Sequence, residues 1–353
     1  MSAPAILPLK GLRVVEFTHV VMGPLVGRVL LDLGAEVLHV EPPGGDPTRT
    51  MGGFGRGFFT FYNHGKACEQ VDLKAAAGQQ RIHEVLASAD VLVENYAPGV
   101  MQRLQLGHEA LASRYPGLVY CSLKGFLDGP YAERIAVDEV VQMMSGLAYM
   151  TGLPGRPMRA GTSALDITGG LFAVIGILAA LYERRLTGRG RLVRASLFES
   201  GAFLMGQFMG GLSAKHVSIP PMPAREQIWA VYQLFDTADG RQIFLAIVSD
   251  KHWRALCRAF AWSDLALDER WATGAGRLAD QAELVSLLQQ RLHALPLADI
   301  VAACERENVP FGEVNTPSDL ASNEHLLAGN HLTEVQGQDG STLQVPRLPI
   351  RFA

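Results

Sequence analysis

One carboxylate stands before the most apolar stretch of the chain. Ala164-Leu165-Asp166-Ile167-Thr168-Gly169-Gly170 runs straight into Leu171 and on through apolar residues to Tyr182, closed by Glu183, Arg184 and Arg185. Aspartate is a preferred helix N-cap, because its oxygens accept the orphan amide hydrogens of a first turn. It is also a nucleophile when amides and the positive helix end hold it ionised. The local sequence leaves both readings open. His19 and His64 fit satisfied loop histidines better than general bases. Cys68, Cys121, Cys257 and Cys304 are scattered without metal-ligand or CxxC spacing, which points to ordinary thiols and no metal site.

The elements around Asp166 alternate between strand and helix. Leu12 to Phe17 reads as a strand, Met22-Gly23-Pro24 as a turn, Val26 to Leu33 as a helix ended by Gly34, and Ala35 to Glu41 as a second strand. A helix near Gly78 to Ala87 leads to the strand Asp90 to Asn95, and a polar helix near Val100 to Ser113 leads to Leu118 to Leu123. Continuous apolar strands separated by helices predict a mainly parallel sheet covered on both faces, the start of an open Rossmann-like α/β domain. Ligands of such sheets bind beyond the carboxyl ends of the strands, here Thr18 to Met22, Asn95-Tyr96-Ala97 and Lys124-Gly125-Phe126. The first turn lacks the GxGxxG fingerprint, which argues against a dinucleotide-dependent oxidoreductase.

After the Asp166 helix come a strand at Leu192 to Ser196 and a second apolar helix from Leu197 to about Leu212. Pro220, Pro221 and Pro223 mark a linker over 213–228. Beyond it the pattern changes to a smaller α+β domain. Trp229 to Phe235 and Gln242 to Ile247 flank an Asp239-Gly240 hairpin signal, followed by helices at Gln281 to Leu292 and Leu297 to Glu307. Thr333 to Phe352 reads as strand–turn–strand around Asp339-Gly340. The chain of 353 residues is 48% hydrophobic and 19% charged, which fits a well-buried enzyme rather than a disordered chain. A net charge of −4 without a basic run gives no sign of a nucleic-acid partner. The uncharged run Ile167 to Tyr182 falls short of the roughly 20 residues that span a bilayer. A cytoplasmic protein without a membrane partner is expected.

Read in order, the chain resembles the class III CoA-transferases, which include formyl-CoA transferase and carnitine CoA-transferase and are related to the α-methylacyl-CoA racemases. The matching pieces are Leu9 to Phe17, Gly23-Pro24, Leu33 to Val37, Glu41 to Asp46, Asn63 to Lys66, Val71 to Lys74, Ala89 to Gly99, Ser122 to Phe126, Asp138, Asp166, Thr187 to Gly190, Asp239-Gly240 and Val309 to Asn315. Their order carries the resemblance more than any one of them. It implies a large Rossmann-like domain over 1–212, the linker, a small domain over 229–318, a C-terminal return over 319–353, and an interlocked homodimer. It also implies CoA transfer from an acyl-CoA to a carboxylic acid, with Asp166 as the nucleophile that forms a mixed anhydride and then an aspartyl-CoA thioester. Coenzyme A and acyl-CoA are then substrates, with no permanently bound cofactor.

Carried over position by position, the CoA contacts fall at Val21, at Val71, Asp72, Leu73 and Lys74, at Asn95, Tyr96 and Ala97, at Arg103, and at Arg134, Ala136 and Asp138. Asp138 has a second reading, as a structural hydrogen-bond acceptor whose charge raises the pKa of Asp166. Gly169 and Gly170 also have two readings, close approach of backbone to the thioester or helix packing. Amide donors at the helix mouth are expected to keep Asp166 ionised. Racemases of this superfamily carry a His–Asp pair where this chain has Val137-Asp138, and a glutamate near Ser249. Neither Val137 nor Ser249 supplies the base and acid that racemisation needs. The glycine-rich loop of formyl-CoA transferase has no counterpart between Pro221 and Trp229. Met143, Met144, Met150, Met205 and Met209 hint at a less polar acyl group than oxalyl. The retained Asp166 argues against an inactive CoA-binding protein.

Overall fold

The computed structural model describes residues 7–215, 219–337 and 339–352. Part of the expected linker, 216–218, lies outside them. The chain divides into two compact units, one running to Ala224 and resuming at Gly329, the other spanning Arg225–Ala328.

The first unit contains, in chain order, β1 (Arg13–Phe17), α1 (Met22–Asp32), β2 (Glu36–Glu41), α2 (Phe58–Asn63), β3 (Ala67–Gln70), α3 (Ala76–Leu86) and β4 (Val91–Glu94). It continues with α4 (Val100–Arg103), α5 (His108–Arg114), β5 (Val119–Lys124), α6 (Asp138–Met144), α7 (Leu147–Thr151), α8 (Ala164–Thr187), β6 (Leu192–Ser196) and α9 (Leu197–Lys215). The strands form one all-parallel sheet in the order β3-β2-β1-β4-β5-β6, the doubly wound arrangement anticipated from the buried strand runs. Successive strand residues feed opposite cores. Val14, Val91 and Val93 pack with α1 and α8, while Val15, Leu92 and Tyr120 pack with α3 and α5. That two-sided burial is why the strands read as continuous apolar runs.

Several boundaries differ from expectation, and α9 runs to Lys215, past the expected end near Leu212 and into the expected linker. Met22-Gly23-Pro24 is the first turn of α1, not a turn before it; proline is tolerated there because its missing N–H is unbonded anyway. The polar helix over 100–113 is broken into α4 and α5, with Gln105 in the left-handed region between them. The Asp166 helix starts at Ala164, so it is longer than the uncharged run within it. At 24 residues α8 has the length and apolarity to cross a bilayer, yet Leu165, Ala173, Val174, Ile177 and Leu181 are buried in the core. Gly188 closes it in the left-handed region, and Arg184 ties its end to Asp90 (2.8 Å) and to the Gly117 carbonyl (3.0 Å).

Charged side chains are buried where β1 and β2 meet α1. The ammonium of Lys66 donates to Glu16 (2.6 Å), to the Pro24 carbonyl (2.8 Å) and to Asn63 (2.9 Å). His39 pairs with Glu16 (2.8 Å) on one side and Asp46 (3.2 Å) on the other. Held between two carboxylates, its imidazole is pushed up to about 9 despite burial, and it is an imidazolium. Asp46 accepts the Thr48 amide (2.7 Å), and Thr48 Oγ1 accepts the amide of Val20 (3.0 Å). An unbroken chain therefore runs from Lys66 to the loop after β1.

The second unit has β7 (Val231–Asp236), β8 (Gln242–Ile247), α10 (Asp250–Ala259), α11 (Ser263–Leu267), α12 (Gly274–Ala279), α13 (Gln281–Leu292), α14 (Leu297–Glu307), β9 (Phe311–Glu313) and α15 (Glu324–Ala328). Its antiparallel sheet, ordered β7-β8-β9, packs against helices through its own core of Trp253, Leu256, Leu288 and Ile300. A hairpin of β10 (Leu332–Gln336) and β11 (Thr342–Pro346) belongs to the first unit.

The buried charge network makes a stability prediction. Lys66→Met removes the cation that Glu16 contacts most closely and is expected to lower unfolding stability by about 3–5 kcal/mol. Chemical denaturation measures it, and a loss below about 1 kcal/mol would show that Lys66 contributes no more than a surface ion pair.

Candidate active site

A cleft of about 500 Å³ opens in the first unit beyond the carboxyl ends of β1, β4 and β5, the place where open parallel sheets bind ligands. Its walls come from the loops after those strands, from the approach to α6, and from the start of α8.

Each wall is fixed by bonds within the unit. In the loop after β1, the His19 amide donates to Asn95 Oδ1 (3.1 Å) and Asn95 Nδ2 donates back to the His19 carbonyl (2.9 Å). Val20 sits at φ 64°, a strained conformation for a β-branched residue, and is held there by Thr48. Lys124, at the end of β5, donates to both Glu94 oxygens (2.8 and 2.7 Å) and to the Tyr96 carbonyl (2.6 Å). Its charge is thus matched by Glu94, and its role in the cleft wall is to anchor the loop carrying Asn95 to Ala97.

Asp166 is the third residue of α8, not its cap. Ser163 stands at the cap position without a side-chain bond, and the Leu165 amide donates instead to Asp138 (3.3 and 3.4 Å). Among the described residues no hydrogen bond reaches the Asp166 carboxylate. This overturns the expectation that helix-mouth amides keep it ionised. Burial first, and then the charges of Asp138 and Glu139, push Asp166 up to about 7. The same surroundings act on Asp138, whose carboxyl is raised chiefly by burial. The phenol of Tyr62 on α2 is raised to about 12, by burial and then by the Asp166 charge. The chemical result is a partly buried carboxylate without a hydrogen-bond donor, facing open space.

The expected contact residues fall into two groups. Val21, Asn95, Tyr96, Ala97, Arg134, Ala136 and Asp138 line the cleft with Asp166. Val71, Asp72, Leu73, Lys74 and Arg103 do not. Val71 is buried in the core, and Asp72 accepts the Lys74 amide (2.9 Å). Gln79 Nε2 joins the rest, donating to the carbonyls of Leu73 (2.6 Å) and Leu104 (3.0 Å). Arg103 lies against Gly99, where an added Cβ would meet Nη1 at 2.9 Å, and Pro98 next to it lines the cleft. The outer group therefore adjoins the cleft through the loop after β4.

Several lining residues gave no sequence signal. Met51 and Phe58 come from the stretch between β2 and β3, and Glu139 and Ser163 are marked only by their neighbours. His19 lines the cleft and burial lowers its pKa; His64 lies elsewhere, against the carbonyls of Thr60 and Phe61. Met143, Met144, Met150, Met205 and Met209 are not in the lining, so the hint they gave about the acyl group falls away; Met22 and Met51 are. Gly169 and Gly170 serve packing. Added Cβ atoms would meet Met22 Cε at 2.6 Å and Leu25 Cδ2 at 2.8 Å, on α1. Val137 lines the cleft as an apolar side chain, and Ser249 caps α10 by accepting the His252 amide (3.2 Å).

Comparison with known proteins is consistent over the whole chain. The family model described as CoA-transferase family III matches residues 9–353. The chain is 33% identical to the succinate–glutarate CoA-transferase of Agrobacterium fabrum, over 97% of its own length and 89% of that protein's. It is 34% identical to the acetyl-CoA:oxalate CoA-transferase of Acetobacter aceti, over 98% and 89% of the two chains. Among solved structures, a CaiB/BaiF family protein from Brucella suis superposes with a TM-score of 0.88 at 34% identity, covering 98% of this chain and 93% of that one.

The position of Asp166 makes a prediction about stability. Its carboxyl titrates near 7 when folded and near 3.9 in an unfolded chain. Stability contributed by the neutral form is present below about pH 4 and is lost as pH rises towards 7. Asp166→Asn is therefore expected to be more stable to unfolding than the wild type at pH 8, by on the order of 1–2 kcal/mol once water in the cleft is allowed for. The difference closes below about pH 4. Equal stability at pH 8 would contradict it.

Proposed function

The chain belongs to CoA-transferase family III, and from that premise we propose that it moves CoA from an acyl-CoA thioester to a carboxylic acid through covalent intermediates on Asp166. The observation that carries this reading is the undonated Asp166 carboxylate, raised to about 7, at the wall of the cleft.

The sequence of steps balances without any redox partner. The ionised Asp166 attacks the thioester carbonyl, and the tetrahedral adduct expels CoA thiolate to leave an aspartyl–acyl anhydride. The thiolate attacks the aspartyl carbonyl, releasing the donor acid and leaving an aspartyl-CoA thioester. The acceptor carboxylate attacks that thioester, expelling thiolate and forming a second anhydride. The thiolate then attacks the acceptor's carbonyl, which frees the new acyl-CoA and restores Asp166.

The surrounding residues support these roles. The amino end of α1 opens at Val21 and Met22 without a side-chain cap, and unbonded amides there favour a developing oxyanion. Arg134 lies over the Tyr131 ring (3.8 Å) at the edge of the cleft. Arg103 and Lys74, both exposed, suit the phosphates of CoA. The relatives named above act on succinate, glutarate and oxalate, and Arg134 suits the second carboxylate of such an acceptor. Exposed apolar side chains on α8 and α9, among them Ile175, Tyr182, Leu186 and Phe203, support a homodimer in which a second copy covers them. We place the enzyme in the cytoplasm. Racemisation is not adopted, because Val137 and Ser249 are neither acids nor bases.

Incubation with succinyl-CoA followed by peptide mass spectrometry tests the mechanism. The expected adduct is a CoA thioester on the peptide containing Asp166, lost on hydroxylamine treatment and absent from Asp166→Ala. Transfer activity in Asp166→Ala is expected to fall by at least about 10³-fold, and the wild-type rate to decline as pH falls through about 7. No adduct, together with exchange of the α-proton of a 2-methylacyl-CoA into deuterated solvent, would replace this reading with an isomerase.

A further inference from the structure

Asp138 is buried, with 4% of its surface exposed, and so is Gln142 at 1%. One turn apart on α6, they act as a pair. Gln142 Nε2 donates to both Asp138 oxygens (2.9 Å each) and to the Thr162 carbonyl (3.3 Å), while its Oε1 accepts the Ala160 amide (2.8 Å). Asp138 in turn accepts the Leu165 amide. An orphan amide in the first turn of α8 is therefore capped from another helix, and the turn over 160–165 is gripped at three points. Asp166 is the next residue.

The charge of Asp138 is not matched by a contacting cation. All of its hydrogen bonds come from neutral donors. The nearby Arg159 is engaged with Glu139 (2.5 Å). Beside Asp166 stand Asp138 and Glu139 from α6 and the neutral phenol of Tyr62 from α2, while His19, Arg134 and the Glu94-paired Lys124 line the same cleft. Acylating Asp166 removes a negative charge from beside another one. A negative charge at Asp138 thus disfavours the free carboxylate relative to either covalent form.

We propose that Asp138 is a positioning residue rather than a CoA ligand: with Gln142 it fixes the turn that presents Asp166 to the cleft, and its charge favours the acylated states of Asp166. The proposal rests on Asp166 being the nucleophile.

Two variants test it, each confirmed as folded by circular dichroism. Asp138→Asn keeps the shape and removes the charge. Its acid limb in the pH profile of kcat/KM is expected to move to lower pH, with kcat reduced about tenfold and KM for succinyl-CoA changed less than about threefold. The fraction of enzyme trapped as the Asp166 adduct is expected to fall. Gln142→Ala loosens the turn without altering charge, so kcat falls while the acid limb stays in place and KM is little changed. A raised KM with unchanged kcat in Asp138→Asn would make Asp138 a CoA ligand and overturn the proposal. An unmoved acid limb in Asp138→Asn, or full activity in Gln142→Ala, would overturn it as well. Absence of an adduct in the wild-type enzyme would instead remove the reading of Asp166 on which it rests, a result separable from either variant's behaviour.

Discussion

The close approach of α1 and α8 governs the geometry of the cleft. A Cβ on Gly170 would lie 3.0 Å from the Met22 carbonyl oxygen and 2.8 Å from Leu25 Cδ2, so the two helices meet with no room for a side chain. Asp166 lies one turn before this contact, and Val20 and Val21 lead into the end of α1 that lines the same cleft. At its far end α8 is tied to the sheet by Arg184 and Asp90, and at its near end it is capped by Asp138. A helix fixed at three places cannot rotate, and the direction of the Asp166 side chain follows from packing rather than from any bond of its own.

Two local costs are concentrated in that cleft: the left-handed Val20 and the Asp166 carboxylate, for which ionisation is disfavoured. Neither persists unless the surroundings over-determine it. For Val20 the support is the chain of buried partners Lys66, Glu16, His39, Asp46 and Thr48, whose members each bond the next. For Asp166 it is the packed interior of α8. Such strain and buried charge are common where structure serves chemistry at some expense of stability.

How much of this was legible in the sequence varied with the physics involved. The parallel sheet was, because strands buried on both faces read as unbroken apolar runs; Leu192 to Ser196 was placed to the residue. The edge strand β3 was not, since Ala67 to Gln70 is largely exposed and carries no apolar pattern. The start of α1 was misread because Gly23-Pro24 signals a turn more strongly than a helix start. In the site, the type and place of Asp166 were legible but its surroundings were not. Whether a first-turn aspartate is capped, capping or bare depends on what lies opposite. Here that is Asp138, 28 residues away in sequence, which caps the helix through the Leu165 amide and leaves Asp166 inside the first turn.

The missing donors around Asp166 bear on the difficulty of its proposed reaction. When a carboxylate attacks a thioester, the tetrahedral adduct expels whichever group is the weaker base. An ordinary aspartate has a pKa of about 3.9 and an ordinary thiol about 8.5, so the adduct would mostly return the carboxylate and leave the thioester intact. With Asp166 near 7 the gap shrinks from about 4.6 units to about 1.5, and expulsion of the thiolate competes. Amides bonded to the carboxylate, as first expected from the helix mouth, would have lowered its basicity and widened the gap. An aspartate stripped of donors, with its helix capped by a neighbour, is better suited to form an anhydride than one serving as its own cap.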